Sequence, residues 1–424
     1  MDKYNLEKTV GEMYQHAKET YAAFGIDIDD VLGKMKGRQI SLHCWQGDDV
    51  NGFEVTSGGA AGGILSTGNY PGRARSGDEL RADYEKALSL IPGKHRINLH
   101  AIYAETDGEI VERDRIKTSH FRKWIDWAKK QGVGIDFNPT CFSHPMAASG
   151  FTLGSKDEGV RQFWIRHVKA CRQIAADIGK ELGTPCIMNI WVPDGMKDIP
   201  ADRLGYRLQM KKSLDEILEE KYDKKYLVDA LESKLFGIGV ESYTVGSHEF
   251  VMGYGLKNNI TICYDMGHFH LTESVADKIS STLLYTDNLL LHVSRPVRWD
   301  SDHVVILNDE LIALAQEVKR CNAFERVYYA LDFFDGSINR ITAWVTGTRA
   351  ALKSIMIALL EPTELLLEEE NKGNYGNRLA LMEEFKTLPF GAVWNKYCCD
   401  MKVPAGADWI ADVQDYEDKV LRNR

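Results

Sequence analysis

Short apolar runs alternate along this chain with longer stretches in which apolar residues return every three or four positions. The runs are ISLHCW (40–45), RINLHAIY (96–103), GIDFNP (134–139), PCIMNIWVP (185–193), YLVDALESK (226–234), ITICYDMGH (260–268), LLLHVSRP (289–296) and VYYALDFFD (327–335). Each has the length and β-branched or aromatic content of a buried strand. The stretches between them read as helices. DEGVRQFWIRHVKACRQIAADIGKELG ends on glycine, a helix stop signal, and DRLGYRLQMKKSLDEILEEKY carries the same period. Strand–helix alternation predicts parallel strands joined by helical crossovers.

The polar residues decide how those strands close. Each run is apolar until its C-terminal end and then offers chemistry: His43 and Trp45, His100, Asn138, Asn189 and Trp191, Glu232 and Lys234, Asp265 and His268, His292, and Asp332 with Asp335. In a (β/α)8 TIM barrel these ends form one rim, where active sites are built. An open doubly wound sheet is the alternative, but the glycine-rich GxGxxG turn that usually follows its first strand is absent. After residue 345 the pattern is helical only. The expected organisation is an N-terminal helical segment (1–38), a barrel domain (39–345) and a helical C-terminal extension (346–424), the last suited to packing on a neighbouring subunit.

Composition narrows the partners. The chain has 424 residues, 44% apolar and 27% charged, with a net charge of −10. The acidic balance argues against nucleic acid, which needs a basic face. No apolar run reaches the roughly 18 residues of a membrane span, and the charged N-terminus does not read as a signal peptide. Eight cysteines without a CxxC pair suggest reduced, buried thiols in a cytoplasmic protein.

The stretch SRPVRWDSDHVV (294–305) places Asp300 and Asp302 two residues apart, directly after an apolar strand. Carboxylates so close repel one another unless a cation or protons lie between them. With Glu232, Asp265, His268, His292 and Asp332 they form an oxygen-rich set with imidazoles and no thiolate. That set suits Mn²⁺ first, with Mg²⁺, Co²⁺ or Zn²⁺ possible at one of two sites. A lone aspartate at a strand end is ordinarily a helix cap, but independent caps do not explain acids gathered on a single rim. His43 and His100 suit hydrogen bonding to substrate, and Trp45 and Trp191 suit either the core or stacking on a sugar face. His270 and His303 read as neighbours of the site. A metal-dependent hydrolase or phosphoesterase on the same barrel is the rival enzyme class, and a non-catalytic sugar-binding protein the rival outside catalysis.

The segments ISLHCWQGDDVNGFE, GNYPGRARS, NLHAIYAE, DFNPTCFSHP, MNIWVPDGMKD, ESKLFGIGVESYTVGS, DMGHFH, LLLHVSRPVRWDSDHVV and ALDFFDGSINRITAWV together resemble the L-rhamnose isomerase family, over about residues 10 to 420. The resemblance implies a Mn²⁺-dependent aldose–ketose isomerase that interconverts L-rhamnose and L-rhamnulose in L-rhamnose catabolism. It implies a (β/α)8 barrel, a cytoplasmic location and a homotetramer. Carried onto this chain, it places the catalytic ion on His268, Asp300 and Asp302. A second ion falls on Glu232, Asp265, His292 and Asp332, with Glu232 near both. Lys234 lies beside the substrate, and Val50 faces the methyl end of the sugar.

The expected substrate-binding group is His43, Trp45, Val50, His100, Trp191, Lys234 and His268, and the expected catalytic group is Lys234, Asp332 and Glu232. Lys234 would donate to sugar O1, and a water activated beside Asp332 would take the O2 proton. The rim carboxylates are committed to cations, so a C2-to-C1 hydride shift is predicted over an enediol. His100, His270 and Asp335 are the reserve candidates for a base. The glycine-rich segment QGDDVNGFEVTSGGAAGGILSTGNY, with Val50, Phe53, Ile64 and Leu65 among its apolar residues, reads as a mobile lid.

Overall fold

The computed structural model describes residues 3–54, 66–236, 238 and 241–424, with side chains from Thr9 onward. Of the expected lid over residues 46–70, the part over 55–65, including Ile64 and Leu65, lies outside the described residues. Eight parallel strands close into a barrel: β1 (Ile40–His43), β2 (Arg96–His100), β3 (Gly134–Asn138), β4 (Cys186–Trp191), β5 (Leu227–Glu232), β6 (Thr261–Asp265), β7 (Leu289–Val293) and β8 (Val327–Leu331). β8 pairs with β1 through Ile40 beside Tyr329, which shuts the ring. A short antiparallel ribbon, Gly195–Met196 with Tyr243–Thr244, ties the loop after β4 to the loop after β5.

Each expected strand is present, and each is shorter at its C-terminal end than its apolar run. After β1 and β2 the chain turns at once into 3-10 turns, Cys44–Gln46 and Ala101–Tyr103. The crossover helices follow their capping residues. Asp157 accepts from the Val160 N–H at 3.0 Å to open helix Glu158–Leu182, and Gly183 closes it at a φ of 67°.

The barrel interior explains why the rim is polar. Successive residues of a strand face opposite sides, so every second residue points inward. Ile187, Val228, Ala230, Cys263, Leu290 and Ala330 form a separate buried cluster. Two residues further along the same strands stand Asn189, Glu232, Asp265, His292 and Asp332. The apolar plug beneath and the polar rim above are consecutive layers of one alternation. The β1–β3 side is polar throughout. Arg96 pairs with Asp136 at 2.8 Å, Ser41 donates to Asp136 at 2.6 Å, and Asn138 donates to Asn98 at 2.6 Å.

Helix Arg340–Leu359 follows β8 and packs against the barrel and its neighbouring helices. It crosses the boundary expected between 345 and 346, with buried residues on both sides, including Trp344, Leu352 and Ile355. The barrel's helical layer therefore continues to Leu359. Helices Thr363–Asn371, Tyr375–Phe385, Phe390–Asp400 and Trp409–Lys419 follow. The first helix, Lys3–Ala22, packs on Phe390–Asp400. At the C-terminus, Glu417 accepts from Tyr70 at 2.9 Å and from Asn339 at 2.6 Å, which ties the last long helix to the loop at Tyr70 and to the start of helix Arg340–Leu359.

Candidate metal centre and sugar cavity

At the C-terminal rim the strand ends bring two sets of donors together. One oxygen or nitrogen from each of Glu232, Asp265, His292 and Asp332 lies within 4.8 Å of the others, and the same holds for Asp265, His268 and Asp300. The first set is the whole of the expected second-ion group. The other holds two of the three residues expected for the catalytic ion, with Asp265 shared. Asp302 lines the adjoining cavity without joining the converging atoms.

Neighbouring strands place these groups by register. Asp265 on β6 sits beside His292 on β7, and Trp191 on β4 beside Glu232 on β5. Asp300 arrives from the loop after β7, where Lys234 donates to its carboxylate. The turn after Asp265 needs glycine for close approach. A Cβ on Gly267 would stand 3.0 Å from Asp300 Oδ1 and 3.1 Å from Asp265 Oδ1, and the Gly267 N–H itself donates to Asp265 at 2.6 Å.

The buried atoms at this rim fit a cation better than they fit one another. His268 Nδ1 is 3.1 Å from Glu232, and His292 Nδ1 is 3.2 Å from both Glu232 and Asp332. Yet His268 Nδ1, both ring nitrogens of His292, Asp265 Oδ2 and Asp300 Oδ1 are buried without a hydrogen bond. Buried nitrogens and carboxylate oxygens left without partners on one rim are groups that a bound cation would satisfy.

The charges agree. Burial pushes Asp265 well above the ordinary carboxyl range, and Asp332 and Glu232 push it the same way. Asp302 is raised to about 7, by burial first and then by Asp332. Burial also opposes the charge on Glu232, but His292 and His268 outweigh it and hold that carboxyl well below its usual value. Crowded carboxylates of this kind are relieved by divalent cations. Cys263 also lies near Glu232 and His292, but it belongs to the apolar layer beneath, and burial pushes its thiol up.

Beside the cluster lies a cavity of about 510 Å³, counting its open mouth. Glu232, Lys234, His268, Asp302 and Asp332 form its polar side; Trp45, Val50, His100 and Trp191 also line it. Trp45 donates to Asp332 at 3.0 Å, and His100 Nδ1 is 3.0 Å from Thr140 Oγ1. His43 does not line the cavity. Its ring is buried edge-on to Trp45 and Phe333, and its Nε2 contacts the Phe333 backbone. Burial pushes both His43 and His100 down to about 4, so both are neutral near pH 7.

His270 pairs locally with Thr272, His303 with Ser301, and Asp335 with Ser337, all outside the cavity. Sequence reasoning missed Ile102, Tyr103, Phe142 and Phe334, which complete the cavity wall. Their signal was the apolar residues that continue past the strand ends. It also missed that Asn189 donates to Glu232.

A closed parallel barrel that gathers acids, imidazoles and a lysine around a cavity at its C-terminal rim is the architecture of a barrel enzyme acting on a small polar substrate. The family model for L-rhamnose isomerase (RhaA) matches residues 8–424, and the chain belongs to the L-rhamnose isomerase family. It is 56% identical over 413 residues to the L-rhamnose isomerase of Salmonella newport (strain SL254), covering 97% of this chain and 98% of that protein. The Citrobacter koseri L-rhamnose isomerase matches at the same 56% identity over 413 residues, with the same coverage. Among solved structures, an L-ribulose 3-epimerase aligns at a TM-score of 0.49 and 11% identity, over 76% of this chain and 95% of that one. The chain is an aldose–ketose isomerase. No helix among the described residues is long and apolar enough to cross a membrane.

Proposed function

We propose that the chain interconverts L-rhamnose and L-rhamnulose with divalent cations, Mn²⁺ foremost, held at the barrel rim. The observation that carries this reading is the pair of carboxylate–imidazole clusters joined through Asp265, beside a rim cavity lined by Lys234, His100 and aromatic side chains. His268, Asp300 and Asp302 would hold the catalytic ion; Glu232, Asp265, His292 and Asp332 would hold the second. When bound, such ions supply Lewis acidity at two adjacent sugar oxygens.

The chain's own groups do the rest. Lys234 donates a hydrogen bond at O1 as negative charge develops there. Asp332, fixed by Trp45, orients a water that takes the O2 proton. The electron pair of the C2–H bond passes with its hydrogen to C1, O2 becomes the ketone oxygen, and the aldehyde oxygen O1, now a hydroxyl, takes up the proton released from O2. Among the described cavity residues, His100 is the one carboxylate or imidazole outside the proposed ligands, and burial makes it a weak base. This favours hydride transfer over an enediol. Trp191 and His100 face the sugar's carbon chain and hydroxyls, and Val50 with Ile102 and Phe334 forms the wall for the C6 methyl.

We also infer a cytoplasmic homotetramer, in which apolar side chains such as Tyr375 and Leu379, about three-fifths exposed in the single chain, would be covered. The functional reading is tested by stripping the protein with a chelator and assaying ketose formation from L-rhamnose. Turnover should vanish and return with Mn²⁺. Full turnover by protein shown to be metal-free by elemental analysis would contradict it.

A further inference from the structure

The chain leaves β1 through an uncommon backbone. Asp49 and Val50 both lie in the left-handed region, at φ of 60° and 61°, and Gly52 follows at 71°. Glycine reaches that region freely, but a β-branched side chain there is a steric outlier. A valine so placed persists only where its surroundings over-determine the turn.

Two adjacent carboxylates supply that determination, in opposite directions. Asp48 is fully buried; one oxygen accepts from the Tyr103 hydroxyl at 2.6 Å and the other from the Gly52 N–H at 2.7 Å. Asp49 receives a bidentate pair from Arg340, Nε at 2.8 Å and Nη2 at 2.7 Å. The remaining nitrogen of Arg340 donates to the Tyr70 carbonyl at 2.9 Å and the Pro71 carbonyl at 3.2 Å. Tyr103 follows β2 and Arg340 opens the helix after β8, and these two strands flank β1 in the ring. The turn is thus stapled to both neighbours, and Val50 becomes part of the cavity wall.

We propose that Asp48 and the Asp49–Arg340 pair are positioning residues for sugar selectivity: they hold Val50 in its left-handed conformation against the methyl end of the substrate. The proposal rests on the reading of Val50 as the wall for C6. Released from the clamp, Val50 would relax to a common backbone conformation and withdraw from the cavity. A 6-deoxyhexose would lose a contact that a pentose ending at C5 never makes.

The test compares kcat/KM for L-rhamnose and L-lyxose in Mn²⁺-loaded wild type, Arg340→Lys, Asp49→Asn and Val50→Ala. A lysine cannot reproduce the bidentate pair. Asparagine tolerates the left-handed backbone and loses only the charge, so its effect should be the smaller of the two clamp variants. The rhamnose-to-lyxose ratio should fall about threefold or more in Arg340→Lys, a part of what one methyl-sized contact is worth. In the two clamp variants, turnover of L-lyxose and manganese content should hold at wild-type values. If the ratio falls in Val50→Ala but not in either clamp variant, the clamp is overturned and the Val50 reading stands. If the ratio is unchanged in Val50→Ala, that reading fails and the clamp with it. Equal losses on both sugars in the clamp variants would mark a general structural support and overturn the proposal as well.

Discussion

Asp300 reaches the rim from a loop, whereas Glu232, Asp265 and His292 stand on strands. Its carboxylate contacts Lys234 and lies 3.4 Å from His268, while His292 contacts Glu232 and Asp332 without it. Asp300→Asn should therefore lose the catalytic ion and leave the second group intact. Outer partners of metal ligands are worth about 10–100-fold, so loss of a direct ligand should lower kcat/KM by about 100-fold or more, with the far-UV spectrum unchanged. Near wild-type turnover would remove Asp300 from the site. His167 makes a prediction about pH. Its Nε2 accepts from Thr140 N at 3.0 Å and its Nδ1 donates to the Arg113 carbonyl at 2.9 Å. Burial pushes it down to about 3 from an ordinary 6.5. The unfolded chain then binds a proton that the folded chain refuses, so this contribution is present above about pH 6.5 and is lost as pH falls towards 3. The melting-temperature gap between wild type and His167→Gln should be wider at pH 8 than at pH 5, and a gap that widens on acidification would contradict the assignment. The strand acids Glu232, Asp265 and Asp332 were legible in the sequence because each ends an apolar run, and Asp300 and Asp302 because they stand two residues apart just after one. The buried pairs Asp48–Tyr103 and Glu54–Arg113 were not, because their partners lie 55 and 59 residues away.

Among the elements, apolar runs marked all eight barrel strands. Their ends ran long because apolar residues continue into the 3-10 turns after β1 and β2, where they line the cavity instead of the sheet. The polar interior of β1–β3 was hidden for a different reason. Arg96 stands beside Gly134 and Asp136 beside Asn98 in the sheet, so only the folded barrel brings the two charges together as an internal pair. Asp136 also accepts from Ser41 and from the Ile187 N–H, so it joins β1, β2, β3 and β4 beneath the site. Asp136→Ala would leave the Arg96 guanidinium buried and unpaired, which costs about 3–5 kcal/mol. Calorimetry should show that loss, with metal content unaltered below the melting range. A loss under about 1 kcal/mol would place the pair among ordinary surface contacts.

For the whole molecule, alternation identified the barrel and its rim, but not where the barrel's helical layer ends. Residue 345 looked like a boundary because strands cease shortly before it. The helix that crosses it is buried on the barrel by Trp344, Leu352 and Ile355, and a helix closing the ring carries the same period as one in an appended segment. The C-terminal helices in turn brace the site from outside, through Glu417 on Tyr70 and Asn339. With its rim acids holding cations, the proposed site would keep strong bases away from sugar C2, so that hydrogen would move within the sugar. Isomerisation of L-rhamnose deuterated at C2, followed by NMR of the L-rhamnulose formed, tests it most directly. A hydride shift puts the label at C1 of the product, with little deuterium entering product when unlabelled sugar reacts in D₂O. Loss of the label to solvent, or substantial solvent deuterium in the product above an enzyme-free control, would contradict it and return His100 to the role of base.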